Sequence, residues 1–317
     1  MSRAYILGID VGGTSIKMAL FTRKGEMVKK WSIPTDNQEE GNYIVPQVKQ
    51  SVVMKLEEKG LSLDNLSGTG IGVPGFLDNE NERVESAVNI GWRDYPLVSI
   101  LSQSLGTPVL MDNDANLAAA GEFWKGAGKG AQDVMCFTIG TGVGGGVIID
   151  GKIVHGVGGM AGEVGHITVD PFGGKKCNCG KKGCLETISS ATGMVNEALE
   201  GLMQRSNSLL HQKKGNELIA KDIFEAAAKE DELAKEVIDR SMFYLGLVIA
   251  NACTLLNPKK IVIGGGVSSA GDALLDPLRS HFSRFALKKV KDDTEFVVAE
   301  LGNDAGVTGA AWLALHS

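Results

Sequence analysis

One supersecondary unit occurs twice in this chain, and that repeat limits the fold more than any other feature. An apolar run, Ala4–Ile9, breaks at Asp10-Val11-Gly12-Gly13-Thr14-Ser15-Ile16-Lys17 and resumes over Ile16–Thr22. It turns at Arg23-Lys24-Gly25-Glu26 and continues from Met27 to Ile33. The second copy runs Val134–Gly140, breaks at Thr141-Gly142-Val143-Gly144-Gly145-Gly146 and resumes over Val147–Ile149. It then turns at Asp150-Gly151 and continues through Lys152-Ile153-Val154. Short apolar runs bounded by Gly and Asp turns are the pattern of strands. Repetition of strand, glycine bend, strand, turn and strand implies two related domains facing each other.

Between and after the copies, strands alternate with helices. Tyr43–Lys59 has apolar residues at helical spacing, with Pro46 near its start where proline is tolerated. Thr69–Pro74 reads as a strand, Pro96–Leu105 as a helix and Val109–Met111 as a strand. A helix follows from about Ala115 to Lys125, and further helices span Ser189–Gln204, Ala220–Lys229 and Leu233–Leu256. A polar, mobile-looking segment, Arg205–Gly215, separates two of them. Lys260–Ile263 is a strand, a helix starts near Asp272, Glu295–Leu301 is the last strand and Asp304–Leu315 the last helix. This alternation marks an α/β architecture with a partly parallel sheet.

The two bends carry chemistry. Each exposes successive backbone N–H groups without side chains in the way, and the first adds the Thr14 hydroxyl, the Asp10 carboxylate and Lys17. Those parts suit phosphate oxygens and a hydrated Mg²⁺. An ordinary glycine hairpin would explain one such bend but not its recurrence. Two of them could hold a triphosphate between them. Gly140, Gly142 and Gly145 also satisfy GxGxxG, but a dinucleotide site needs a helix there and the chain returns as a β-run. The triple glycine at Gly264-Gly265-Gly266 reads alone as a tight turn, and it also permits close approach of a flat ligand such as adenine.

The stretch Gly162–Glu186 gathers His166, Cys177, Cys179 and Cys184, three of the chain's 5 cysteines and one of its 5 histidines. Thiolate and imidazole ligands in one short loop suit a tetrahedral Zn²⁺ with every position filled, which makes the metal structural rather than catalytic. A disulfide framework fits poorly, because Cys136 and Cys253 lie far off and the count is odd. Glu163 and Glu186 flank this loop, so a metal staple would fix two carboxylates and an imidazole relative to one another. At Asp112-Asn113-Asp114-Ala115-Asn116, polar groups gather at the carboxyl end of a strand, where open α/β sheets bind ligands. Asp114 could act as a general base toward a substrate hydroxyl. Helix capping explains one of these residues but not four polar groups in five positions.

The chain has 317 residues, 43% hydrophobic and 22% charged, enough for a sizeable core and two domains. Its net charge is −6 with no basic stripe, so no nucleic-acid partner is expected. The N-terminus lacks a secretory pattern, and no apolar run reaches the roughly 20 residues that span a bilayer. A soluble cytoplasmic protein with no membrane partner is expected.

Asp10-Val11-Gly12-Gly13-Thr14, Ile139–Gly146, the GEVGH at Gly162–His166 and the CxCGxxGCLE at Cys177–Glu186 resemble the ROK family of sugar kinases and related transcriptional repressors. The order and spacing match over nearly the whole chain, with no departure at a motif position. The resemblance implies the actin-like, hexokinase-type ATPase fold (ribonuclease H-like), with two α/β domains around a cleft. The domains would be residues 1–117, rejoined by a C-terminal helix over about 303–317, and residues 118–302 with the zinc loop. It implies Asp114 as catalytic base, and Gly75, Asn89, Asn113, Glu163, His166 and Glu186 as sugar contacts. It places Asp10, Gly12, Gly13, Thr14, Lys17, Gly140, Thr141 and Gly142 at the phosphates and Mg²⁺, and Gly265 and Gly266 on the adenosine side. His166, Cys177, Cys179 and Cys184 would be the zinc ligands.

ATP phosphorylating a hexose is the activity implied. The whole chain looks most similar to the family's bacterial glucokinases, including Asn89-Ile90-Gly91-Trp92 and Lys221–Ala227. Other acceptors remain open: mannose, fructose, N-acetylglucosamine or N-acetylmannosamine. A sugar-responsive repressor is a second alternative, but its helix-turn-helix is not expected ahead of a bend that begins at Asp10. Family members are often homodimers or homotetramers.

Overall fold

The computed structural model describes residues 3–78, 80–213 and 217–316. The described residues divide into two compact units. The first comes from Met1–Lys129, Lys152–Ala161 and Leu301–Ser317, and the second from Gly130–Gly151 and Gly162–Glu300.

In the first unit, β1 (Tyr5–Val11), β2 (Ser15–Thr22) and β3 (Met27–Pro34) form the expected meander. Helix α1 (Ile44–Glu57) leads to β4 (Leu66–Val73). Helix α2 (Leu97–Leu105), β8 (Val109–Asn113) and α3 (Asp114–Lys125) follow an insertion described below. The sheet order is β3-β2-β1-β4-β8, with β1 antiparallel to β2 and parallel to β4. β1 is apolar almost without alternation, as a central strand covered on both faces must be. Val45, Val48, Val52 and Leu56 of α1 recur at helical spacing and are buried in one core with Leu7, Ile9, Ile71 and Val73. Burying each such side chain contributes roughly 1.5–3 kcal/mol.

The C-terminal helix α10 (Ala305–His316) closes this unit by resting on β1, β4 and α3. It comes so close that a Cβ on Gly70 would sit 1.8 Å from the Ala310 carbonyl, and one on Gly309 1.8 Å from that of Leu117. That packing explains where the units divide. The expected boundary at 117 falls inside α3, but α3 packs against α10, and residues to Lys129 group with the first unit.

A small antiparallel sheet of β5 (Phe76–Asp78), β6 (Arg83–Ala87) and β7 (Trp92–Tyr95) lies between β4 and α2. The sequence pattern does not announce it.

The second five-stranded sheet opens with β9 (Val134–Ile139), β10 (Val143–Ile149) and β11 (Lys152–Ile153), which repeat the meander. Helices α4 (Glu186–Ser189), α5 (Ala191–Leu202), α6 (Ala220–Ala227) and α7 (Glu232–Leu256) come next. They precede β12 (Lys260–Gly264), α8 (Asp272–Phe285), α9 (Lys288–Asp293) and β13 (Glu295–Val298). The order β11-β10-β9-β12-β13 reproduces that of the first sheet, with β9 antiparallel to β10 and parallel to β12. The repeat read from sequence is therefore a repeat of topology.

Two expectations are revised. Gly144–Gly146 do not belong to the bend. β10 already starts at Val143, paired with Ile139, and Gly145 is a strand glycine because a Cβ there would meet the Gly162 carbonyl at 2.6 Å. The segment from Arg205 is partly ordered by a 3₁₀ turn, Leu209–Gln212, with Leu210 buried, while Lys214 and Gly215 lie outside the described residues. Among the described residues no helix is long and apolar enough to cross a membrane.

Because the obstacle at Gly70 and Gly309 is backbone, it cannot rotate away. Gly70→Ala and Gly309→Ala are each expected to lower unfolding stability by about 1–3 kcal/mol, the cost of overpacking a filled interior. Chemical denaturation checks this, and unchanged midpoints would mean that α10 sits farther from the sheet.

Candidate active site and metal centre

In the first unit the parallel strands deliver polar groups to one end of the sheet. Asp10 of β1 pairs in register with Gly72 of β4, and Gly72 with Asp112 of β8. The bend after β1 is held by Gly12 N–H donating to Ser15 O (3.0 Å) and by the Thr35 hydroxyl donating to Gly12 O (2.6 Å). Lys17 lies opposite Asp10 on β2, with Nζ 3.7 Å from Oδ2. Gly306 of α10 leans on that carboxylate, since a Cβ there would lie 2.8 Å from Asp10 Cγ. Burial pushes the Asp10 carboxyl above its usual range, and Lys17 only partly opposes it. Asn89 stands beside the bend, its Cβ 3.5 Å from where a Gly13 Cβ would be.

β8 runs directly into α3, and the junction carries Asn113 and Asp114. Asn113 caps the helix by accepting from Ala115 N–H (2.9 Å), and its Nδ2 donates to Gly75 O (3.2 Å). Asp114 Oδ1 also accepts from Ala115 N–H, at 2.8 Å. Gly75 has φ +110°, and a Cβ there would sit 2.2 Å from Ser86 O, so only glycine fits. The structure thus brings Gly75, Asn113 and Asp114 together. Asp112, buried beneath them, accepts from Asn113 N–H (2.7 Å) and Asn116 Nδ2 (3.0 Å), and its Oδ2 lies 2.6 Å from His155 Nε2. That hydrogen bond raises the His155 pKa, burial opposes it, and the Asp112 charge adds to the rise. His155 was not expected at the site. It lies 43 positions from its partner, and no local pattern marks it.

In the second unit the bend is a tight turn over Gly140, Thr141 and Gly142, closed by Gly140 N–H donating to Gly142 O (2.9 Å). Glu186 Oε2 accepts from Val143 N–H at 3.1 Å, and a Cβ on Gly142 would lie 2.1 Å from that oxygen. Gly265, at φ +82°, presses on the end of β9, where a Cβ would meet Ile139 O at 2.4 Å. A Cβ on Gly266 would meet nothing within 4 Å. Thr141 and the two glycines thus flank the same end of the second sheet.

The ligand atoms of His166, Cys177, Cys179 and Cys184 all lie within 4.8 Å of one another. Cys177 Sγ is 3.7 Å from His166 Nδ1, and Cys179 Sγ is 3.6 Å from Cys184 Sγ. A tetrahedral ion with ~2.3 Å Zn–S bonds needs edges of about 3.8 Å, so the spacing fits zinc. Burial first, then the neighbouring thiols, push the Cys184 thiol up to about 12. A divalent cation reverses that penalty by favouring thiolates.

The two nitrogens of His166 face different groups. Nδ1 faces the thiols, while Nε2 lies 3.9 Å from Glu163 Oε2. Glu186 Oε1 lies 3.7 Å from Cys177 Sγ. One loop therefore places an imidazole and two carboxylates around the cluster.

The ROK family profile matches residues 6–317. A glucokinase of Halalkalibacterium halodurans is 51% identical over 99% of this chain and 96% of its own length. The crystal structure of a ROK family glucokinase from Streptomyces griseus in complex with glucose and AMPPNP aligns with a TM-score of 0.78 at 34% identity, covering 99% of this chain and 100% of that one. A ROK hexokinase from Thermus thermophilus aligns at 0.82 and 30% identity, covering 98% and 97%. The twofold sheet topology is that of the actin-like, hexokinase-type ATPases. The chain belongs to the ROK family.

Replacing Gly142 with Ala is expected to push the Glu186 carboxylate off the Val143 amide and cost roughly 1.5–3 kcal/mol, the range for hydrogen bonds to charged groups. Thermal or chemical unfolding reads this, and wild-type stability would mean that the carboxylate does not rest there.

Proposed function

We infer that the protein is an ATP-dependent glucokinase, transferring the γ-phosphoryl group of ATP to glucose to give glucose 6-phosphate. The observation that carries this is the 51% identity to the H. halodurans glucokinase over 99% of the chain. The site chemistry supports it. Phosphoryl transfer depends on alignment and charge neutralisation more than on covalent help.

Asp114, fixed at the start of α3, would accept the proton of the attacking hydroxyl. The acceptor oxygen then bonds to the γ-phosphorus as the bond to the β-phosphate oxygen breaks, and ADP leaves. Asn89, Asn113 and Gly75 would contact the sugar. Glu163, Glu186 and the Nε2 side of His166 would take its ring hydroxyls. Carboxylates suit that task because each can accept two hydroxyl hydrogen bonds, and an epimer that leaves one unpaired is rejected.

The N–H groups of Gly12, Gly13, Thr14, Gly140, Thr141 and Gly142 would receive phosphate oxygens. Gly265 and Gly266 would leave room for the adenosine. Mg²⁺, when bound with ATP, supplies positive charge to the phosphates, and Asp10 and Lys17 would meet that charged assembly. A cation near Asp10 would favour its ionised form, which burial disfavours.

Zn²⁺ on His166, Cys177, Cys179 and Cys184 would act as a structural tie, with no open coordination position. Its service to the reaction is indirect, through the fixed places of Glu163 and Glu186. A cytoplasmic setting and a homodimeric or homotetrameric assembly complete the proposal. The net charge of −6 fits a small-molecule enzyme better than a nucleic-acid binder.

Asp114→Asn is expected to lower kcat by about 10²–10⁴-fold, the usual contribution of a general base, while glucose binding by calorimetry survives. Normal turnover in that variant would remove Asp114 as the base. Zinc analysis of the purified protein should find metal bound, and Cys184→Ser should lose it and raise the glucose KM more than it lowers kcat. A metal-free protein with full glucose affinity would sink the tie.

A further inference from the structure

His155 belongs to a segment, Lys152–Ala161, that packs within the first unit although its sequence neighbours lie in the second. Its imidazole meets the Asp112 carboxylate, Nε2 to Oδ2 at 2.6 Å. Asp112 is 2% exposed, and a carboxylate at that depth needs hydrogen-bond partners to satisfy it. Three groups do this: Asn113 N–H, Asn116 Nδ2 and His155 Nε2. Of these only the imidazole can carry charge.

The other two bonds bracket the residue that matters. Asn113 precedes Asp114 and Asn116 follows it, so the Asp112 carboxylate clamps both ends of the turn that presents Asp114. His155 in turn fixes which way that carboxylate faces. The imidazole also borders a cavity of about 650 Å³ whose other charged lining is Asp78, Glu80, Glu82 and Glu85. All four are acidic, so Asp112 does not compete with a basic side chain of that lining for a partner.

We propose that His155 is a positioning residue for the transfer reaction, holding Asp112 so that the turn Asn113–Asn116 keeps Asp114 in line with the acceptor hydroxyl. This rests on the kinase reading above. The chain carries the device at long range: a histidine after β11 sets the base at the end of β8. The requirement is for a donor at the place of Nε2. Gln supplies one, whereas Ala and Phe do not.

The test compares His155→Ala, His155→Phe and His155→Gln in the full chain. Two readouts are used: glucose kinetics with Mg²⁺–ATP, and amide hydrogen exchange at Asn113 and Ala115, whose N–H groups are bonded within the turn. His155→Ala and His155→Phe should lower kcat about 10–100-fold, the scale of an ångström-sized misplacement, with glucose KM little changed. Exchange at Asn113 and Ala115 should quicken in the same two variants, and His155→Gln should recover most of both. Wild-type kcat and exchange in all three variants would overturn the proposal. So would a Gln variant as impaired as Ala, which would show that ring packing rather than the donor is what counts. If the wild-type protein phosphorylates no hexose, the kinase reading fails by itself, and the exchange pattern still decides whether His155 holds the turn.

Discussion

The first unit depends on a backbone-to-backbone approach that only glycine allows. α10 lies against β4 at Gly70 and against α3 through its own Gly309, at separations where any Cβ would overlap a carbonyl oxygen. Seating the helix there has a chemical result. Its first turn, at Gly306, lies against the Asp10 carboxylate and helps to bury it. The same helix steadies α3, whose N-terminus carries Asp114. The twelve residues of α10 thus support both the Asp10 carboxylate and the helix that carries Asp114. A glycine-lined seam contributes little hydrophobic area of its own. It gains from the dispersion contacts of closely packed backbone and from the apolar faces it brings together.

In the second unit the corresponding constraint is the histidine–cysteine cluster. A loop rich in glycine and lysine has little apolar surface to bury, and a metal tie can replace a core there. His166 serves both sides of that arrangement because its two ring nitrogens face apart, one to the thiols and one to Glu163. A metal held on the thiol side would orient the other nitrogen. Glu186 is held at two points, by the Val143 amide and by the neighbourhood of Cys177.

Much of this was legible in the residues themselves. The two glycine bends predicted two like sheets, and their orders coincide strand for strand. Helical spacing of apolar residues placed α1 and α7, and ligand spacing placed the cluster. What was hidden depended on contacts far apart in sequence. Gly144–Gly146 read as a bend because glycine runs usually are one, but Gly162 approaches Gly145 from another part of the chain and the run is a strand. The sheet β5-β6-β7 was missed because its strands are short and charged, and positive φ just before β6 falls on Glu82 rather than on a glycine. His155 gave no signal, since its partner Asp112 looked like one of several candidate ligands in a polar run. Only the fold shows Asp112 turned inward, supporting Asp114 rather than joining it.

The central claim is that these groups are arranged to phosphorylate glucose. It is tested most directly by initial rates with Mg²⁺–ATP across glucose, mannose, fructose, N-acetylglucosamine and N-acetylmannosamine, reported as kcat/KM. The account predicts the highest value for glucose, with formation of glucose 6-phosphate. A higher value for an N-acetylated sugar would contradict the assignment of substrate. No transfer to any of the five by a folded, metal-loaded protein would contradict the kinase itself.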